Sequence, residues 1–146
     1  MSNAATSSPR WDPAFIADVI KAYDVRGLVD EQITVDFVRA VGQSFSRLMR
    51  SEGALSVVVA HDMRDSGPEL AEAFAEGVTE QGLNVINIGL ASTDEMYCAS
   101  GLLQVPGAMF TASHNPAAYN GIKLCRAGAR PVGQDTGLAT ISLSLI

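Results

Sequence analysis

The chain alternates short continuous apolar runs with longer stretches in which apolar residues recur every three or four positions. Thr34 opens the first long stretch, and the spacing predicts a helix from this cap through about Arg50. Val38, Val41, Phe45 and Leu48 form its apolar stripe, and Gly53 reads as its stop. Leu55 to Ala60, with Val57-Val58-Val59 inside it, is continuous enough to predict a central parallel strand. Ser66-Gly67-Pro68-Glu69 has capping-box spacing, with the proline in the first turn, so a second helix should run to about Gln81 and end at Gly82. Asn84 to Ile88 reads as a strand, and Ser92 with Glu95 offers another capping box before a helix to about Leu103. Val105 to Phe110 is the third predicted strand, Ile122 to Cys125 the fourth, and Gly133 to Ile146 the start of a final helix. At the other end, Ala5 to Pro13 reads as an irregular lead-in and Ile16 to Val25 as the entry into the globular part, punctuated by Gly27.

Strands alternating with helices predict a three-layer α/β/α sandwich with a mostly parallel, mixed four-stranded sheet over residues 14–146. Residues 1–13 are set aside, Met1-Ser2-Asn3-Ala4 as a cloning remnant. Asn120-Gly121 is a tight-turn signal, and the short return makes the last strand the antiparallel member. A hydrophobic content of 47% and a mean hydropathy of +0.17 fit a compact domain with a real core. No apolar run is long enough to span a bilayer, so no membrane partner is expected. A net charge of −6 argues against nucleic acid as the partner; an anionic ligand would need a local cluster of cations. Only two lysines occur, Lys21 and Lys123. Cys98 and Cys125 make neither a disulfide framework nor a zinc cluster and read as apolar-site cysteines of a reduced compartment. With no secretory signal visible, the cytoplasm is the expected location.

The chemistry concentrates after the third predicted strand. Gly107-Ala108-Met109-Phe110 leads into Thr111-Ala112-Ser113-His114-Asn115-Pro116, followed by Tyr119-Asn120-Gly121 and Lys123. A serine on such a loop can carry a phosphoryl group when cations and backbone N–H groups surround the phosphate oxygens. Asn115 before Pro116 favours a turn. Lys123 alternates with Ile122 and Leu124 and should leave the sheet on the face opposite both. His114 is a candidate general acid/base, with loop orientation and substrate binding as its other readings. A Ser-His pair in a loop is by itself ordinary polar surface; the full pattern through Lys123 is what singles it out. No GxGxxG, P-loop or GxSxG motif occurs.

Thr111 to Pro116 resembles the phosphoserine loop of the α-D-phosphohexomutases, the phosphomannomutase/phosphoglucomutase family. Lys21-Ala22-Tyr23-Asp24-Val25-Arg26-Gly27 is similar to that family's Tyr-Asp-(Ile/Val)-Arg-Gly segment. The resemblance implies that Arg26 enters the active site near the phosphoserine, with Ser113, His114 and Lys123, while Tyr23, Lys21 and Asn115 meet substrate. The alternative reading of the segment is a surface ion pair of Asp24 with Arg26 or Lys21. Ala60-His61-Asp62-Met63-Arg64 resembles a Gly-Arg-Asp-x-Arg segment but departs from it at Ala60 and His61, which puts a functional role for His61 in doubt. Asp62 and Arg64 are retained and are expected to brace the phosphoserine loop. The resemblance covers Ala17 to Ile146 and only the first of four family domains, so this would be one part of a larger enzyme, inactive alone. It implies interconversion of hexose 1- and 6-phosphates through a phosphoenzyme and a hexose 1,6-bisphosphate, which also serves as activator. It further implies Mg²⁺ held between phospho-Ser113 and an Asp-x-Asp-x-Asp loop of another domain, a motif absent here, and not by Asp24, Asp62 and Asp65. The loop sequence leans towards phosphomannomutase/phosphoglucomutase over phosphoglucosamine mutase. A stand-alone phosphate- or partner-binding module is the rival of another class.

Overall fold

A computed structural model describes residues 10–146; the cloning-remnant assignment and most of the lead-in lie outside them. The chain forms α1 (Pro13–Val19), β1 (Val25–Leu28), α2 (Val35–Ser51), β2 (Ser56–His61), α3 (Gly67–Glu80), β3 (Asn84–Leu90), α4 (Thr93–Leu103), β4 (Gly107–Phe110), β5 (Tyr119–Arg126), β6 (Arg130–Pro131), a 3₁₀ turn at Gln134–Thr136, and α5 (Leu138–Leu145). The sheet order is β1-β5-β4-β2-β3, with β6 beside β5. β2 pairs parallel with β3 and β4, whereas β5 runs antiparallel to both β4 and β1. The sheet is therefore mixed, and β1, β2, β3 and β4 all end at the same edge.

The helices cover both faces of the sheet. Val57 and Val59 of β2, Ala108 and Phe110 of β4, and Ile122 and Leu124 of β5 meet Phe37, Val41, Phe45, Phe74 and Ile141 from α2, α3 and α5 in the main core. The alternate residues Val58, Ala60, Met109 and Cys125 form a smaller core with Met96 of α4. Period-two alternation along the strands sorts the two cores. It also puts Lys123 on the α4 face, opposite Ile122 and Leu124.

Local chemistry explains most boundaries. Thr34 Oγ1 accepts from the Phe37 N–H (3.2 Å) and starts α2. Ser92 and Glu95 make a full capping box on α4: Glu95 N–H donates to Ser92 Oγ (3.0 Å) and Ser92 N–H to Glu95 Oε1 (2.7 Å). α1 already begins at Pro13, because Asp12 caps it by accepting from Ala14 N–H.

Four expectations are corrected. The sheet has six strands and not four; β1 and β6 are too short, and β1 too polar, to carry a strand pattern of their own. Asn120-Gly121 is no turn but lies inside β5, with Asn120 fully buried. A Cβ on Gly121 would sit 2.1 Å from the Val25 carbonyl oxygen, so the glycine is there to let β1 approach. Ser66 does not cap α3: its backbone is helical and its hydroxyl instead accepts from Asn120 Nδ2 (2.7 Å). Cys98 is exposed on α4, while Cys125 is buried.

α2 and α3 touch through glycines. A Cβ at Gly77 would lie 2.2 Å from the Arg39 carbonyl oxygen, and one at Gly42 2.5 Å from that of Phe74. Gly101 on α4 has no atom within 4 Å of its would-be Cβ. Gly77→Ala should therefore lower stability by about 2–3 kcal/mol through forced separation of the helices. Gly101→Ala should raise it by up to ~1 kcal/mol through helix propensity. Urea unfolding of both variants checks the pair, and equal shifts would refute the close-approach argument.

Candidate functional site

The loops after β2 and β4 leave the sheet side by side, since His61 is paired with Phe110 and Asp62 N–H donates to the Phe110 carbonyl (3.0 Å). Asp62 then folds its own loop: its Oδ1 accepts from Arg64 N–H (3.1 Å), an Asx turn. That turn aims the Arg64 side chain beneath the neighbouring loop. Arg64 Nη1 donates to the carbonyls of Pro116 (2.8 Å) and Tyr119 (3.1 Å), and Nη2 to those of Ser113 (2.9 Å) and Asn115 (2.8 Å). The Arg64 side chain is 7% exposed, and Asp62 Oδ2 lies 3.5 Å from its Nε. One guanidinium thus satisfies four carbonyls that no strand or helix serves.

Within this loop Ser113 takes a left-handed backbone, φ 56°, which is uncommon for a residue with a side chain. Its N–H donates to Thr111 Oγ1 (3.1 Å), and Asn115 bonds the Ala112 carbonyl through both Nδ2 (2.8 Å) and its N–H (3.0 Å). The peptide bonds of this loop are all trans, so a carbonyl and the following N–H point in opposite directions. With the Ser113 and Pro116 carbonyls turned to Arg64, the N–H groups of His114 and Ala117 face away from it. Ser113 and His114 are themselves solvent-exposed.

Lys123 stands on the sheet face opposite the main core, level with Met109 of β4. Arg26 of β1 is paired with Gly121 of β5, the strand that carries Lys123. Lys123 and Arg26 line an open hollow of ≈ 420 Å³ together with Lys21, Tyr23, Asp24 and Tyr97. Three cations there face a single carboxylate. Asp24, 5% exposed, is bonded to Arg26 Nη2, so the ion pair named as the alternative reading is present and sits at the rim of the hollow. Arg26 Nε is buried without a partner. Tyr23 is 82% exposed at the same rim.

Of the candidate residues, Lys21, Tyr23, Arg26 and Lys123 converge on the hollow, while Asp62, Arg64, Asn115 and Ser113 form the loop assembly at the end of β4. His114 projects from the loop and does not line the hollow. His61 Nδ1 lies 2.9 Å from the Asp62 carbonyl, a local contact only. Among the described residues no three His, Cys, Asp or Glu side chains gather into a metal site. Sequence reading missed Tyr97, and took Ser66 for a helix cap where it instead accepts from Asn120. Tyr97 follows Met96 on α4, and the apolar pattern gave no reason to separate it from core residues. Burial, and next the neighbouring Cys125, push the Tyr97 phenol above its ordinary range; burial likewise raises the Cys125 thiol.

Residues 17–142 match the family model for the phosphoglucomutase/phosphomannomutase α/β/α domain I. A phosphomannomutase of Vibrio cholerae is 41% identical over 124 residues, which is 83% of this chain and 27% of that protein. Phosphohexose mutases of Xanthomonas campestris are 43% identical over 130 residues, 88% of this chain and 27% of theirs. The crystal structure of a phosphoglucomutase/phosphomannomutase family protein from Burkholderia thailandensis superposes with a TM-score of 0.77 at 33% identity, covering 91% of this chain and 30% of that one. The chain thus spans about a quarter of the length of these relatives. A mixed sheet with helices on both faces, a serine loop at the end of β4 and this breadth of similarity agree: the chain belongs to the phosphoglucomutase/phosphomannomutase family, as its α/β/α domain I.

Proposed function

We propose that this chain is the phosphoserine-bearing domain of a phosphohexomutase that interconverts hexose 1- and 6-phosphates, and that it acts only with the remaining domains of a longer protein. The observation that carries the reading is the exposed Ser113 hydroxyl on a loop that turns its Ser113, Asn115, Pro116 and Tyr119 carbonyls inward to Arg64. Such a loop presents N–H groups and a hydroxyl outward, which suits a phosphate. The relatives' names support the phosphate of an uncharged hexose over that of an amino sugar.

In the proposed cycle the bond between phosphorus and Ser113 Oγ breaks as a sugar hydroxyl oxygen bonds to phosphorus, giving the 1,6-bisphosphate. The sugar hydroxyl gives up its proton to a base, for which His114 and Lys123 are the candidates in this chain. After reorientation, the other phosphate passes back to Ser113 Oγ and the bisphosphate is left as the isomerised monophosphate. Lys123 and Arg26 would hold phosphate oxygens, and the buried, unpartnered Arg26 Nε is a donor still lacking an acceptor. Lys21, Tyr23 and Asn115 would meet the sugar or its phosphate. Mg²⁺, when bound, would offset charge on the transferred group. With no carboxylate cluster among the described residues, they would contribute only the Ser113 phosphate to it. We place the enzyme in the cytoplasm.

In the full-length protein, Ser113→Ala should abolish turnover of mannose and glucose 1-phosphates, with Mg²⁺ and bisphosphate supplied, and leave the thermal midpoint unchanged. A near-normal rate would overturn the phosphoenzyme reading. Arg26→Ala should reduce kcat/KM by roughly 10²-fold, the scale of a lost charge-assisted contact to phosphate. Arg47→Ala, on the exposed side of α2, serves as the control, and equal effects would remove Arg26 from the site. Arg64→Lys cannot span four carbonyls with a compact ammonium. It should lower stability by about 2 kcal/mol and raise amide exchange between Ser113 and Tyr119. Unchanged exchange there would show that Arg64 does not hold the loop.

A further inference from the structure

The hollow beside β5 contains one polar side chain that the proposed cycle leaves without a task. Tyr97 lies one position beyond Met96 on α4, so it turns about a quarter of the way round the helix from the buried line through Met96 and Ser100. Its ring packs against the small core of Val58, Ala60, Met96, Met109 and Cys125. It also reaches the hollow, where Lys123, Arg26 and Lys21 are the neighbouring cations. A tyrosine at such a margin has an apolar body to bury and a polar tip to place. Among the described residues the Tyr97 hydroxyl has no hydrogen-bond partner, although Ser100, one turn along, is engaged on several sides.

The electrostatics give that hydroxyl a ligand. Three cations around one carboxylate, itself occupied by Arg26, make the hollow a site for an anion on a chain of net charge −6. A fourth cation would add repulsion to the empty site, whereas a neutral donor adds a hydrogen bond without it. We propose that Tyr97 is a substrate-binding residue of this domain, its hydroxyl donating to a phosphate oxygen of the bound sugar phosphate beside Lys123. This rests on the phosphohexomutase reading above. The burial that raises the phenol keeps it protonated, and so a donor, throughout the neutral range.

The test is titration of full-length protein with mannose 1-phosphate, comparing wild type with Tyr97→Phe and recording thermal midpoints and turnover beside it. Phenylalanine keeps the ring against the α4-side core, so the fold should persist. Affinity should fall about tenfold, as for one lost hydrogen bond to a charged group, with the thermal midpoint unmoved. In steady state the same variant should raise KM more than it lowers kcat. Wild-type affinity in Tyr97→Phe would overturn the proposal and leave the mutase reading intact, since wild-type turnover would still be seen. A drop in thermal midpoint with unchanged affinity would also overturn it, making Tyr97 a packing residue. Failure of the wild-type protein to bind or turn over the sugar phosphate would sink both readings together.

Discussion

Everything at the candidate site depends on how one guanidinium replaces a missing piece of secondary structure. The stretch from Ser113 to Pro116 leaves the sheet edge with no ladder to receive its carbonyls. A largely exposed irregular loop of this kind holds one conformation only where its backbone groups find fixed partners. Arg64 supplies four donor contacts from a planar group that a lysine could not reproduce. The consequence is directional. Turning the carbonyls of Ser113 and Pro116 inward commits the following N–H groups to the opposite side and helps hold Ser113 at its left-handed φ. Asp62 does the same for Arg64, fixing its backbone and lying within ion-pair range of its Nε. An arginine three residues past the end of β2 thus sets the conformation of a serine some fifty residues on.

β5 is the second organising element. It is the strand that reverses direction, and in doing so it links β4, which delivers Ser113, to β1, which delivers Arg26. Gly121 lets the two strands close up, and Asn120, buried beside it, bonds Ser66 at the start of α3. The same pairing places Lys123 on the face that α4 and Tyr97 overlook. Packing and chemistry are separated by the period of two: Ile122 and Leu124 feed the main core while Lys123 faces the hollow.

The helices were largely legible because their ends carry specific chemistry. Thr34 and the Ser92–Glu95 pair announce α2 and α4, and the apolar run of β2 needs no context. The misreadings share a different cause, which is that the deciding contact is distant in sequence. Asn120-Gly121 has the composition of a turn, and only the passage of β1 across Gly121 makes it a strand interior. Ser66 has the spacing of a cap, yet its hydroxyl is taken by Asn120, and the backbone there is already helical. β1 is four residues with an arginine inside, and pairing with β5 makes it a strand. At the site, the Ser113 loop was visible as a motif, and the positions of Asp62 and Arg64 beneath it follow from two strands ending side by side. Tyr97 was invisible because on a helix its letter reads as core, and only the open hollow beside its ring separates it from Met96.

The charge distribution joins these threads. A chain of net charge −6 has no general reason to gather Lys21, Arg26 and Lys123 around one hollow. Like charges placed together repel, and the fold answers only in part, through buried Asp24 on one edge of Arg26. The Nε of Arg26 is left buried and unbonded, an arrangement that folding alone would not favour. A multiply charged oxyanion in the hollow, as proposed, would relieve both: repulsion among the cations would be screened and the orphan donor would acquire an acceptor. On the proposed reading the hollow is preorganised for a phosphate before the phosphate arrives, held by strands whose positions the rest of the sheet fixes.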